Sequence, residues 1–307
     1  MAQPHIVQKR IIEDDPAVVV VSAPGIDKDF EGCFSSDLGI NRTTSLLLHE
    51  RFADARDRAL EVAERSGVGS RHISRVVDSM DSWLYQYKDN RAGRMAAGER
   101  FSAELMAAST GRELLDPLEL IAIGPNHRID QRQTVRNLLA AIDLQKKYVI
   151  GGFYGYGQSG PEVLEFGGAD TTGAVVALAL GAAYRNLTDV DGFYTTNPHE
   201  NDDAQHIAAL TYRESRILAL GGSNLLHHEV ARLLSNTGLP TILCSTFGDS
   251  SNETVVSRNL ASSEIRSDFI GVASREVRVL DVARVGMDDE VSTMDQLQSE
   301  LGRAGVS

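Results

Sequence analysis

A glycine pair, Gly167 and Gly168, is followed closely by an acid and two hydroxyls, Asp170, Thr171 and Thr172, and then by an apolar run reaching Ala183. A run that is apolar on all faces predicts a buried helix, with Asp170 or Thr171 at its N-cap. Glycines ahead of such an N-terminus let a phosphate or carboxylate approach free backbone N–H groups at the positive end of the helix dipole. The expected chemistry is therefore anion binding. A second cluster, Thr188-Asp189-Val190-Asp191-Gly192-Phe193-Tyr194, places two acids one residue apart before a glycine, the mark of a strand end turning into a loop. Ligands of α/β sheets lie at the carboxyl ends of strands.

Elements able to position these groups recur along the chain. Residues 17–21, Ala-Val-Val-Val-Val, form the β-branched run of a strand buried on both faces, ending in Ser22-Ala23-Pro24-Gly25. Residues 26–41 lack clean periodicity and read as a loop or insertion. Helical patterns cover about 43–66, 71–87 and 94–110, with Glu99 inside the last, and 118–123 and 148–153 are strand candidates separated by a polar, helix-like 131–147. A helix starting at 210–214 is broken by Gly221-Gly222 before another at 225–235, and 240–244 is the last clear buried strand of this domain, followed by a polar connector at 249–252. Strands alternating with helices at this spacing predict an α/β fold, a mostly parallel sheet with helices on both faces.

Each chemical candidate has a plainer alternative. Asp170 by itself reads as a cap, Asp189 and Asp191 as turn formers, Glu99 as a solvated helix face and Ser22 as a strand-end hydroxyl. The adjacent His227 and His228 point in different directions on a helix and lack the spacing of a helical metal pair, so they read as structural, and no metal-ligand set is assigned. Two cysteines far apart, Cys33 and Cys244, suggest neither a disulfide framework nor zinc. The net charge of −13 argues against nucleic acid and anionic membranes as partners and favours small molecules. The absence of a long apolar span or an apolar leader leads to the expectation of a cytoplasmic protein.

The same residues resemble a family. GGAD, the apolar run TTGAVVALALGA and TDVDGFYTTNP are similar to segments of the aspartokinases of the amino acid kinase family, and the last of these, TDVDGFYTTNP, is long and specific. The resemblance covers roughly residues 6–256. It implies a three-layer α/β/α sandwich with a mainly parallel central sheet over residues 1–262, and a partial ACT-like segment over 263–307. It implies transfer of a phosphoryl group from ATP, with Mg²⁺, to the side-chain carboxylate of L-aspartate. By matching motifs, Ser22, Thr44 (in TTSLLL) and Glu99 (in GERFSAEL) would contact the amino acid. Thr188, Asp189 and Tyr194 would lie at the nucleotide, Gly167 and Gly168 at its phosphates, and Asp170 at the transfer centre.

Several positions depart from the family pattern. Residues 5–16 resemble the helix that follows the family's opening strand and its Lys-Phe-Gly-Gly segment, for which no counterpart is expected here. Phe166, His199 and Asn224 stand where family members carry arginine, arginine and, in many cases, lysine. Lys28 and Arg100 are the first candidates to supply the missing positive charge. Three readings follow: an aspartate kinase, an impaired or silent paralogue or fragment that binds nucleotide or a partner subunit, and a kinase for another amino-acid carboxylate. Homo-oligomerisation is left open.

Overall fold

The computed structural model describes residues 4–24, 42–164, 167–188, 190–196, 201–220, 225–247 and 252–259. The chain divides into two compact units, residues 1–273 and 274–307, and every described residue lies in the first. The expected loop at 26–41 and the ACT-like segment at 263–307 therefore fall outside the described residues, as do Lys28, Phe166, Asp189, His199 and Asn224.

A first helix, α1 (Pro4–Asp14), turns at Asp15 (φ 41°) into the valine strand β1 (Val18–Val21). Four helices come next along the described chain: α2 (Arg42–Leu48), α3 (Phe52–Glu64), α4 (Ser70–Gln86) and α5 (Arg91–Thr110). Then follow β2 (Glu113–Leu115), α6 (Pro117–Leu120), α7 (Gln131–Ala141), β3 (Tyr148–Gly151) and a hairpin of β4 (Tyr154–Gly157) and β5 (Gly160–Val163). The second half comprises α8 (Gly168–Leu180), β6 (Tyr184–Thr188), β7 (Phe193–Tyr194), β8 (His206–Ile207), β9 (Ala209–Thr211), α9 (Tyr212–Leu220), α10 (His228–Leu234), β10 (Thr241–Ser245) and β11 (Glu253–Ser257).

The fold is α/β with parallel pairing dominant. One sheet has the order β1-β3-β2, all parallel, with Val19 opposite Val149 and Val20 opposite Ile150. The other has the order β6-β10-β11-β9, in which only the β10–β11 pair is antiparallel. Strand alternation assigns the layers. Val19, Val21 and Val149 join Ile11 of α1 with Ala103 and Met106 of α5 on one face, whereas Val18, Val20 and Ile150 meet Leu138 of α7 and Val176 of α8 on the other. A valine run buried on both faces is what a parallel strand between two helical layers requires.

Three local expectations change. Residues 118–123 were expected as a strand, but Pro117 occupies a first helical turn whose Leu118 N–H donates to the Asp116 carboxylate (2.9 Å), and the helix runs to Leu120. Only Ala122 and Ile123 make isolated bridges there. The strand 240–244 is not the last, since β11 pairs with it beyond the polar connector. The N-cap of α8 is Gly167, at φ 79°, not Asp170 or Thr171. The Thr171 hydroxyl instead donates back to the Gly167 carbonyl (3.0 Å), which places both residues inside the first turn.

Candidate functional site

The carboxyl ends of β1, β3, β6 and β10 converge on the first turn of α8. At the β1 end, the Ser22-Ala23-Pro24 segment is clamped between two helices: the Thr43 hydroxyl of α2 donates to the Pro24 carbonyl (3.0 Å), and a Cβ added at Gly98 of α5 would lie 2.6 Å from the Ala23 methyl group. Thr44 and Glu99, at 1% and 2% exposure, are buried on those same two helices. At the end of β3, Gly151 runs against the Glu99 carbonyl, and just beyond it a Cβ at Gly152 would stand 2.6 Å from the Ala169 Cα. Only glycine lets strand and helix backbones approach this closely. Phe153 follows at φ 73°, a costly conformation for an aromatic residue, with its N–H donating to the Thr172 hydroxyl (3.3 Å).

Gly167 meets both requirements for glycine. Its φ is left-handed, and an added Cβ would fall 2.4 Å from the His227 ring. No side chain caps α8, and the first intrahelical bond inward is from Thr171 N–H to the Gly167 carbonyl. The N–H groups of the first turn, Gly168 to Asp170, thus have no helical partner and carry the positive end of the dipole. His227 also caps α10, its Nδ1 accepting from the Glu229 N–H (3.4 Å), which agrees with a structural role for this histidine.

Asp170 lies on the first turn of α8, half-buried. Burial pushes its carboxyl from an ordinary 3.8 up to about 6, opposed by the Tyr184 hydroxyl, which donates to Oδ1 (3.4 Å) from the start of β6. Ser22, Asp170 and Thr188 line one cavity of about 570 Å³. Among its described lining residues only Arg185 is basic, and that guanidinium is held by the Glu253 carboxylate (2.6 and 3.3 Å) and lies 3.9 Å from Asp14. Arg100 is not available as a substitute cation. It is committed to Glu104 (2.9 Å), lies 3.7 Å from Asp116 and stacks over Trp83 at 4.6 Å. Among the described residues, the positive potential facing Asp170 comes from the α8 N-terminus.

At the end of β6, Thr188 closes a tight turn with Val190 (2.9 and 3.0 Å), and its carbonyl accepts from the Thr246 N–H of the β10 end (2.8 Å). Tyr194 does not line the cavity. Its hydroxyl donates to the Asp191 carboxylate (2.9 Å to Oδ1), and its ring meets His206 edge-on at 5.4 Å. The site therefore has three parts: Ser22, Thr44 and Glu99 around the β1 exit, Gly167, Gly168 and Asp170 at the helix turn, and Thr188 with Tyr194 at the β6 exit. Sequence reasoning missed Tyr184 and His227 as the contacts of Asp170 and Gly167. Nothing in the local pattern marks a partner 14 or 60 residues away.

Comparison with known proteins is consistent with this arrangement. Residues 6–245 match the model of the amino acid kinase family. Aspartokinase 3 of Bacillus subtilis is 28% identical over 287 residues, 86% of this chain and 62% of that protein. An aspartokinase of Rickettsia prowazekii is 27% identical over 57% of this chain and 42% of its own length. The chain thus spans less than two thirds of these curated relatives. Two solved structures share the fold: the aspartate kinase of Clostridium acetobutylicum (TM-score 0.74, 21% identity, all of this chain and 72% of that one), and E. coli aspartokinase III with aspartate and ADP (TM-score 0.68, 20% identity, 84% and 61%).

Proposed function

The chain belongs to the amino acid kinase family, and on that premise we propose that it is built for phosphoryl transfer from ATP to the side-chain carboxylate of L-aspartate, giving 4-phospho-L-aspartate and ADP. The observation that supports this most is the shared cavity of Ser22, Asp170 and Thr188 at the N-terminus of α8. In the transfer, an aspartate carboxylate oxygen forms a bond to the γ-phosphorus as the bond from that phosphorus to the β–γ bridging oxygen breaks, and the electron pair leaves with ADP. Such reactions ask the protein for positioning and charge stabilisation rather than covalent chemistry.

Ser22, Thr44 and Glu99 orient the amino acid in this reading. Gly167 and Gly168 offer backbone N–H groups to phosphate oxygens, and Thr188 and Tyr194, with Asp189, hold the nucleoside end. No group of three or more His, Cys, Asp or Glu side chains among the described residues could enclose a metal ion. A single carboxylate, Asp170, fits Mg²⁺ that takes most of its ligands from phosphate and water. The ion neutralises phosphate charge when bound. Among the described residues no helix is long and apolar enough to cross a membrane, and a cytoplasmic location accords with small-molecule substrates.

Hydroxamate trapping with ATP, Mg²⁺ and L-aspartate tests the reading. Acyl phosphate formation that is lost in Asp170→Asn supports it. Hydroxamate formed equally by the variant, or only with a different amino acid, would overturn the assignment.

A further inference from the structure

His206 opens β8, paired with Tyr194 of β7, and its ring nitrogen Nε2 faces two oxygens. The Asp191 carbonyl lies 3.3 Å away and the Thr254 hydroxyl of β11 3.4 Å. A carbonyl oxygen only accepts. The single proton of the Thr254 hydroxyl is already donated to the Ile207 carbonyl (2.6 Å), and the same oxygen accepts from the Phe193 N–H (2.9 Å). Toward His206 that hydroxyl can therefore only accept as well. Both neighbours need a proton on Nε2, so the donor count places the neutral ring in its Nε2–H tautomer.

The Asp191 peptide is where this bond has its effect. Asp191 follows directly on the turn that the Thr188 hydroxyl closes with Val190. Its carboxylate accepts from the Tyr194 hydroxyl (2.9 and 3.0 Å) and from the Asn252 amide (3.3 Å). The next residue, Gly192, has φ 135°, and a Cβ there would stand 2.9 Å from His206 Nε2 and closer still to the Thr254 hydroxyl. Only glycine lets the loop backbone come so near both side chains. The His206 ring also meets the Tyr194 ring edge-on, with centroids 5.4 Å apart. One imidazole thus touches both the Asp191 backbone and the Tyr194 ring.

The β7–β8 hairpin does not depend on that ring. Phe193 pairs with Ile207 and Tyr194 with His206 along the backbone. The Thr195 N–H donates to the Gln205 carbonyl (2.9 Å), and the Gln205 N–H donates to the Thr195 hydroxyl (3.0 Å). Thr254 holds Phe193 and Ile207 by its own two bonds. What the imidazole adds is the direction of the Asp191 carbonyl and the tilt of the Tyr194 ring. We propose that His206 is a positioning residue for nucleotide binding: as an Nε2–H donor it holds the loop so that Thr188 and Tyr194 meet the nucleoside. It acts through the loop and not on the reacting atoms. The inference rests on the reading of Thr188 and Tyr194 as the nucleoside side of the site.

Three substitutions separate the donor from the ring. In His206→Gln the amide nitrogen reaches as far as Nε2, in His206→Asn it stands only where Nδ1 stood, and His206→Phe keeps a ring without a donor. Calorimetric titration of the full chain with Mg²⁺ and ADP should show a Kd raised about fivefold in His206→Asn and His206→Phe, the loss of one hydrogen bond, and largely restored in His206→Gln. The KM for ATP should follow the same order, with kcat and the KM for aspartate little changed. Thermal unfolding checks that each variant folds. Independently of any variant, long-range proton–nitrogen correlation spectra of the wild-type chain, at a pH high enough to leave the ring neutral, should show the His206 proton on Nε2. A proton on Nδ1 would overturn the proposal, as would equal weakening in all three variants, which would leave the ring a packing element. ADP affinity untouched in every variant, or no ADP binding by the wild-type chain, would overturn it too. If ADP binding follows the donor series while the hydroxamate assay stays silent, the positioning role stands and the aspartate kinase reading fails.

Discussion

Replacing Asp170 by asparagine should stabilise the protein while removing its chemistry. The carboxyl is pushed from 3.8 to about 6 by burial, a difference of about 2 units. At 1.36 kcal/mol per unit, ionised Asp170 costs the folded state about 3 kcal/mol. Its partial contact with solvent, and the roughly 0.3–1 kcal/mol by which a helix N-terminus favours an anion, reduce this to about 2 kcal/mol. Asparagine carries no charge and can still accept from Tyr184. At about 2 °C per kcal/mol for a chain of this size, Asp170→Asn should raise the melting temperature by ~4 °C at pH 8. The gain has a definite pH window. The unfolded chain ionises above about 3.8 and the folded one only near 6, so wild-type stability is lost between those values and constant above them. Thermal unfolding of both proteins from pH 4 to pH 8 should show the curves separating across that window, with phosphoryl transfer reduced on the order of 10²-fold or more in the variant. A variant less stable than wild type at pH 8, or a gap equal at pH 4 and pH 8, would refute the burial argument.

Other outcomes follow from the same geometry. Gly167→Ala forces a Cβ into the His227 ring at φ 79° and should cost about 2–4 kcal/mol, read by urea unfolding, while weakening nucleotide binding. Glu99→Gln should raise the KM for aspartate severalfold and leave the KM for ATP nearly unchanged; the reverse split would remove Glu99 from the amino-acid side. Tyr194→Phe leaves Asp191 without its phenol donor and should raise the KM for ATP, with little change for aspartate. Tyr184→Phe removes the hydrogen bond that holds the Asp170 carboxyl down, so the acid limb of the pH–rate profile should move to higher pH; an unmoved limb would mean that Asp170 does not set it.

Much of the architecture was legible because the relevant signals are local. Four valines can hardly be anything but a strand between two helical layers, and the glycine pair before an all-apolar run marks a buried helix N-terminus. Where reading failed, a local signal was outweighed or absent. Asp116-Pro117 is a helix start, but the apolar residues after it suggested a strand. The capping expectation for Asp170 failed because Gly167, in a left-handed conformation, shifts the helix start three residues earlier. The Tyr184–Asp170 and His227–Gly167 contacts depend on long-range packing. Periodicity tells that β1 is buried on both faces but not which strands lie beside it, so its pairing with β3 became visible only in three dimensions.

Two opposed influences set the state of Asp170. Burial pushes its carboxyl up to about 6, while the Tyr184 hydroxyl and the N-terminus of α8 favour the anion. Among the described lining residues the one basic side chain, Arg185, is engaged by Glu253 and lies near Asp14. An opposite charge within ~4–6 Å favours a carboxylate, so a cation bound against Asp170 opposes burial directly. The acid limb of an Asp170-dependent pH profile should therefore lie at lower pH under saturating Mg²⁺ than under limiting Mg²⁺, and a limb that does not move with Mg²⁺ would separate Asp170 from the metal.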